Sequence, residues 1–179
     1  SVAGNVTTLF TQQDRILFVG LNGNIVLSDF VLKFDTSHKK GKRFPGSNPL
    51  SGPWSEHEVS EFSFGADYSG FNDLTINIEL ANAYIHNHNI QLANEQNEYG
   101  YSVRFDWRLY NDLLYLSLQH ANILGDNGSF SAFSVAYEYS DRINIGGKII
   151  SFDSDNNTQQ LFPYRHQDLI QLTLDYYFN

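Results

Sequence analysis

The sequence predicts an all-β fold: a transmembrane antiparallel β-barrel, with about nine or ten strands in this chain. Three observations carry that expectation. Apolar and polar residues alternate with a period of two along most of the chain. Aromatic residues are 15% of the whole and charged residues only 17%, below the ~25% usual in soluble domains. The connections between the alternating segments are short and long in turn, as they are in bacterial membrane barrels.

Taken in order, the first strand is expected over residues 15–26. Leu17, Val19, Leu21 and Ile25 share one face, and Phe18, Gly20, Asn22 and Asn24 the other. The second, over 30–38, sets Phe30, Leu32 and Phe34 against Val31, Lys33 and Asp35. The third, over 59–69, sets Phe62, Phe64, Ala66 and Tyr68 against Glu61, Ser63, Gly65 and Asp67. The fourth sets Leu74, Ile76, Ile78, Leu80 and Tyr84 against Thr75, Asn77 and Glu79. In the fifth, Tyr99, Tyr101, Val103, Phe105, Trp107 and Leu109 oppose Ser102, Arg104, Asp106 and Arg108. The sixth sets Leu114, Leu116 and Leu118 against Tyr115, Ser117 and Gln119. The seventh sets Phe133, Val135, Tyr137 and Tyr139 against Ser134, Ala136 and Glu138. The eighth has Ile143, Ile145 and Ile149 against Asn144 and Lys148. The ninth, over 169–178, sets Ile170, Leu172, Leu174, Tyr176 and Phe178 against a mostly polar face that includes Gln171, Thr173 and Asp175.

Short connections are expected at 27–29, 70–73, 110–112 and 140–142, each containing an Asp that suits a tight turn. Long ones are expected at 39–58, 85–97, 123–129 and 153–165, rich in Gly, Pro, Asn and Asp. Short turns face the periplasm in bacterial barrels, so the C-terminus is expected to be periplasmic and the location the outer membrane. A soluble β-sandwich or lipocalin-like barrel is the competing fold. The fifth strand speaks against it, because its six large apolar residues extend about 20 Å at the usual rise per residue.

Other classes are narrowed by composition. A net charge of −9 disfavours nucleic acid as a partner. There is no Cys, hence no disulfide or thiolate metal site, and no apolar run nears the ~18 residues of a membrane helix. The chain has no Met and no leader-like segment at Ser1, so it is expected to be the C-terminal part of a larger barrel. Residues 1–13 then form a loop or a partial tenth strand near 6–10, and 14–178 form the hairpins. An open sheet in lipid leaves costly edges, so a missing N-terminal part or other chains are expected partners, with outer-membrane lipid and lipopolysaccharide around the wall.

The lumen face is expected to carry Lys33, Asp35, Glu61, Asp67, Glu79, Arg104, Asp106, Arg108, Glu138, Lys148 and Asp175. Tyr68, Tyr101, Trp107, Tyr137, Tyr139, Tyr176 and Phe178 are the expected lipid-facing aromatics. Ionisable groups at membrane depth face water or pair with one another, so this row reads either as cross-strand pairing or as a charged constriction that selects solutes. Arg104 and Arg108 suggest a basic ladder within it. Lys39, Lys40, Lys42 and Arg43 read as a loop, solvated or meeting lipopolysaccharide phosphates. His86 and His88 allow a metal pair but lack a third ligand, and 126–128 and 153–157 lack full calcium-loop spacing. No metal or cofactor is expected. His120 with Ser129 or Ser131 is the nearest approach to a hydrolase constellation, but no nucleophile motif frames it, so no enzyme is expected.

Residues 64–84, FGADYSGFNDLTINIELANAY, add a resemblance. The run Gly-x-Asp-Tyr, a short turn, then a strand with an inward Glu followed by Ala-Asn is similar to one in a family of large Gram-negative outer-membrane barrels long catalogued as a domain of unknown function. The resemblance spans about 15–178 and implies the C-terminal end of such a protein. The Asn after Phe178 departs from the usual terminal aromatic. Family members are often encoded beside resistance-nodulation-division exporters, which implies movement of hydrophobic or amphiphilic molecules. The expected function is therefore a channel or transporter for small, hydrophobic or amphiphilic solutes. An outer-membrane hydrolase or protease barrel and a structural or adhesive barrel with a plugged lumen are the alternatives.

Overall fold

The computed structural model describes residues 15–46, 54–125, 127–157 and 159–178. They form one nine-stranded sheet in which every strand pairs with its sequence neighbours. The strands are β1 (Leu17–Leu27), β2 (Phe30–Pro45), β3 (Trp54–Phe71), β4 (Leu74–Ile85), β5 (Asn97–Leu109), β6 (Leu114–Asn122), β7 (Ser129–Ser140), β8 (Ile143–Asp153) and β9 (Leu169–Tyr176). All eight ladders are antiparallel. The only other regular element among the described residues is a 3-10 turn, Phe162–Tyr164, with Pro163 in its first turn.

Tight turns join the strands at one end of the sheet. Leu27 pairs with Phe30 across Ser28 and Asp29, and Ser28 takes a φ of 53°. Phe71 pairs with Leu74 across Asn72 and Asp73, whose φ is 61°. Ser, Asn and Asp tolerate this left-handed geometry because their short side chains bond locally. The β5–β6 turn holds Tyr110, Asn111 and Asp112 at φ of 54°, 56° and 68°.

Register then sorts the side chains. Opposite residues point the same way, and successive residues point opposite ways. The ladder Ile25–Leu32–Ala66–Ile78–Val103–His120–Ser131–Ser151 runs across eight strands on one side. One step away, Phe34, Phe64, Leu80 and Tyr101 form another row on that side, as do Phe105, Leu118, Phe133, Ile149 and Ile170. We call this the apolar face. The neighbouring rows form the polar face.

One expectation is met in part and two need correction. First, the barrel is not closed among the described residues, because β1 and β9 each have one neighbour. In an antiparallel meander of nine, the first and last strands run the same way, so they cannot complete an antiparallel ladder. Second, much of the expected 39–58 loop is strand: β2 runs on to Pro45 and β3 begins at Trp54. A bulge between Lys39 and Lys42, with Gly41 at φ 85°, breaks the alternation that would have revealed this. Third, Tyr139 is the extra residue of a bulge between Glu138 and Ser140, so alternation no longer assigns it to the face of Tyr137. The suggested tenth strand near 6–10 lies outside the described residues.

Packing is concentrated at the long-loop end. Phe44, Val59, Ala83, Ile85 and Leu92 form a small buried cluster, with Leu124 against it. Val59, Ala83 and Ile85 belong to the polar face, so here the connections fold over that face. Leu92 bridges Gly46, and Ala93 N–H donates to the Pro45 carbonyl at 3.0 Å. Gly100 lets the chain after β6 cross close by: a Cβ there would lie 3.1 Å from Leu124 N and 3.2 Å from the Asn122 carbonyl. Leu161 N–H donates to Asn127 O at 3.0 Å, tying the β6–β7 and β8–β9 connections together.

Ile85 is fully buried. Ile85→Ala should cost about 2–5 kcal/mol in denaturant unfolding. A cost below about 1 kcal/mol would show that the loop cover adds little to stability.

Candidate functional site

The polar face gathers the expected ionisable residues. Register puts Lys33, Asp35, Glu61, Asp67, Glu79, Arg104, Asp106, Arg108, Glu138, Lys148 and Asp175 on this one side of the sheet. Alternation of the strands does this alone, since each residue is an even number of steps from its polar neighbours.

A belt of two hydrogen-bonded groups, one on β2 to β4 and one on β5 and β6, crosses the face. Lys33 Nζ lies 2.5 Å from Asp67 Oδ2, and Asn77 Nδ2 donates to the other oxygen of the same carboxylate. In the register, Asn77 faces Arg104 on β5. Arg104 Nε donates to Asp106 Oδ2 at 2.6 Å, and Tyr115 on β6 donates its hydroxyl proton to Asp106 Oδ1 at 2.5 Å. Arg104 is thus neutralised by its own strand, and Arg108 sits 3.8 Å from Asp112. The two arginines do not form the bare basic ladder their spacing suggested. They line, with Thr75, Asp106, Asp112 and Tyr115, an open concavity of about 590 Å³ at the short-turn end.

A second cluster lies toward the long-loop end. Glu61 accepts from Lys39 at 2.5 Å, from Lys42 at 3.2 Å and from Ser37 at 3.3 Å. One carboxylate therefore carries two ammonium groups. On β7 to β9 the face is different in kind. Glu138, Lys148 and Asp175 make no ion pair among the described residues, nor do Asp35 and Glu79.

The basic run 39–43 is split by the Gly41 bulge. Lys39 and Lys42 turn to the polar face, while Lys40 turns to the other face and meets Glu58 at 2.9 Å. Arg43 meets Glu56 at 3.2 Å.

The apolar face bears the expected aromatics other than Tyr139. Near the short turns, Phe30 and Tyr68 have ring centroids 4.6 Å apart, and Tyr68 and Phe71 5.3 Å. Trp107 pairs with Leu74 and Leu116, Tyr137 with Leu114 and Ile145, and Tyr176 stacks edge-on with Phe178 at 4.8 Å. Near the long loops stand Tyr84, Tyr99, Tyr101 and Trp54.

His86 and His88 are not brought together as a metal pair. His86 Nε2 bonds Ser60 Oγ, whereas His88 Nε2 bonds the Asn94 carbonyl. Among the described residues no group of three or more His, Asp or Glu is arranged to hold a metal ion. Asp126, at the head of one Asp/Asn-rich loop, lies outside the described residues. His120 and Ser131 do meet, with Nδ1 2.9 Å from Oγ, but the other ring nitrogen faces Tyr101 rather than an acid. Reading the sequence missed Ser60, His38 and Glu58, which cluster with His86. His38 and Ser60 lie at the ends of the expected strands, whereas Glu58 falls within the expected 39–58 loop, and which strand residues face one another is not given by alternation.

A double-mutant cycle on Asp106→Asn and Tyr115→Phe should give a coupling of about 0.5–1.5 kcal/mol by unfolding. Coupling near zero would mean that the belt does not hold β5 to β6. Compared with protein-family models, with curated proteins and with solved structures, the chain matches none.

Proposed function

We propose that this sheet is a wall of an outer-membrane β-barrel whose apolar face meets lipid and whose polar face lines an aqueous lumen, and that the protein is a channel or transporter. One observation supports this above all others: the apolar face stays exposed across the whole sheet. Phe62 is 51% exposed, Leu80 56%, Leu118 51% and Leu172 85%. The elements touch only their sequence neighbours, apart from the 3-10 turn against β8, so no described element covers this face. Contiguous apolar area of this size marks a surface that meets lipid or a partner. Lipid suits it because the apolar rows are framed by Tyr and Trp at both ends, as in a barrel girdle.

The polar face suits water. Most of its charges on β2 to β6 are paired, Asp35 and Glu79 excepted, and those on β7 to β9 face solvent, which is how ionisable groups survive at membrane depth. The uneven charge would give a passage with a neutralised wall on one side and Glu138, Lys148 and Asp175 on the other. Hydrophobic or amphiphilic solutes as cargo follow from the resemblance of residues 64–84 alone. On this reading the short turns and the C-terminus are periplasmic, and the long connections face outward.

A plugged structural barrel is the second reading. It is favoured by the connections that carry Leu92 and Leu124 over the polar face. Single-channel recording separates the two: stepwise conductance supports the channel, and its absence from folded, inserted protein supports the plug.

Neighbouring residues on β6 test the facing. Leu118→Arg should impair assembly by about 2–4 kcal/mol at mid-wall, while Ser117→Arg, opposite Asp106, should be tolerated. Folding yield in lipid vesicles reads this out, and the reverse ranking would overturn the proposed orientation of the wall.

A further inference from the structure

We propose that Ser60, His38, His86 and Glu58 form a hydrolytic site for acyl esters, on the apolar face of the sheet at its long-loop end. The substrate class is an acylated amphiphile lying against that face, such as a glycerophospholipid. This goes beyond transport and departs from the expectation of a barrel without enzymatic activity.

Three adjacent strands build the site. Ser60 on β3 is paired with His38 on β2 and with Tyr84 on β4, and His86 follows just past β4. Ser60 Oγ is 3.1 Å from His38 Nδ1 and 2.8 Å from His86 Nε2. His38 Nε2 lies 3.8 Å from Glu58 Oε2. The His86 ring rests edge-on against Tyr84, with centroids 4.9 Å apart.

The carboxylate decides the proton positions. Facing Glu58, His38 carries its proton on Nε2, which leaves Nδ1 as an acceptor. Ser60 has one hydroxyl proton and donates it to His38. His86 must then donate its Nε2 proton to Ser60 Oγ. The result is a nucleophile, a base and an orienting acid in the relation that activates serine in hydrolases. At 3.8 Å the acid contact is longer than a hydrogen bond, and such contacts commonly tighten when substrate binds.

The chemistry balances with water as the co-reactant. Ser60 Oγ attacks the ester carbonyl carbon as its proton passes to His38 Nδ1. The imidazolium gains stabilisation from Glu58, and the His86 N–H is the donor beside the developing oxyanion. The C–O bond to the alcohol breaks, and the leaving oxygen takes the proton from His38. Water then attacks the acyl-serine through the same base, which releases the carboxylic acid and restores the Ser60 hydroxyl.

Depth selects the substrate. Ser60 stands one row beyond Phe62, at the edge of the apolar band, and lipid esters lie at the boundary between headgroups and acyl chains. A hollow of about 300 Å³, lined in part by Lys40, Glu58, His86 and Asn87 but not by Ser60 or His38, opens on the Glu58 and His86 side of the cluster. Lys40, 66% exposed, offers a cation at headgroup level. Of the further serine–histidine contacts, Ser55 with His57 and Ser131 with His120, the latter has Tyr101 rather than an acid at its second ring nitrogen and serves as an internal control.

The lipid substrate rests on the apolar face meeting lipid, whereas the nucleophile does not, and the test keeps them apart. The purified full-length protein, folded in detergent, is treated with a fluorophosphonate and the labelled peptide is identified by mass. Fatty-acid release is measured from vesicles of phosphatidylethanolamine and phosphatidylglycerol, and hydrolysis of p-nitrophenyl butyrate in parallel. The label is expected on Ser60. Release should fall at least about 100-fold in Ser60→Ala and His38→Ala. Glu58→Gln, a positioning change, should lower kcat with little change in KM, and Ser131→Ala should match wild type. Folded wild type with no label, and no release above Ser60→Ala, overturns the site. Hydrolysis of the soluble ester alone, with vesicles untouched, overturns the lipid substrate while leaving the nucleophile.

Discussion

Strand register is the constraint on which everything else depends. Because side chains alternate, slipping one strand by a single residue would exchange its two faces. In this sheet such a slip of β5 would bring Arg104 into the row of Ile78 and Asp106 into the row of Leu118, and would set Phe105 against Asn77 and Gln119. Eight ladders avoid this together. The two-residue turns help to set the register at one end, and the belt from Lys33 to Tyr115 favours it through charge and hydrogen bonding. A slipped strand would separate Asp106 from Tyr115 as well as misplace its apolar residues.

The two ends of the sheet are stabilised by different means. At the short turns, local geometry suffices: Ser, Asn and Asp adopt left-handed backbone and the strands follow. At the long connections, the chain relies on burial. Val59 and Ile85 lie on the face that is otherwise polar, and they are sealed by Leu92. Where apolar residues appear on a polar face, their cover comes from a loop rather than a second layer. This explains why a sheet with so few buried side chains among the described residues still has a packed region.

Much of the fold was legible because alternation is a strong signal wherever both faces are uniform. All nine strands were visible, and most of their centres were fixed by residues such as Ile78 and its row partner Val103, or Trp107 and Leu109. What escaped notice has a common cause. At Gly41 and at Tyr139 a bulge inserts one residue, and the period of two changes phase. Past Gly41 the sequence reads as a basic loop, although it is a strand whose cations find glutamates on β3. The candidate hydrolytic cluster was only half hidden by that phase change. Ser60 and His38 lie at the ends of the expected strands, but their pairing is not written in local sequence, and Glu58, which completes the cluster, falls in what read as loop. Partnering on the polar face was only half legible: the charges could be listed, but which acid holds which base depends on side-chain reach.

The parallel sense of β1 and β9 has a consequence for symmetry. Identical copies inserted the same way round are related by an axis along the membrane normal, which preserves strand direction. Such copies would bring β9 of one against β1 of the next in parallel. A rotation that reverses direction would pair like edges antiparallel but turn one copy upside down in the bilayer. An all-antiparallel closed wall built on this sheet therefore calls for a complement that is not a repeat of it, one that contributes an odd number of strands between its two edges.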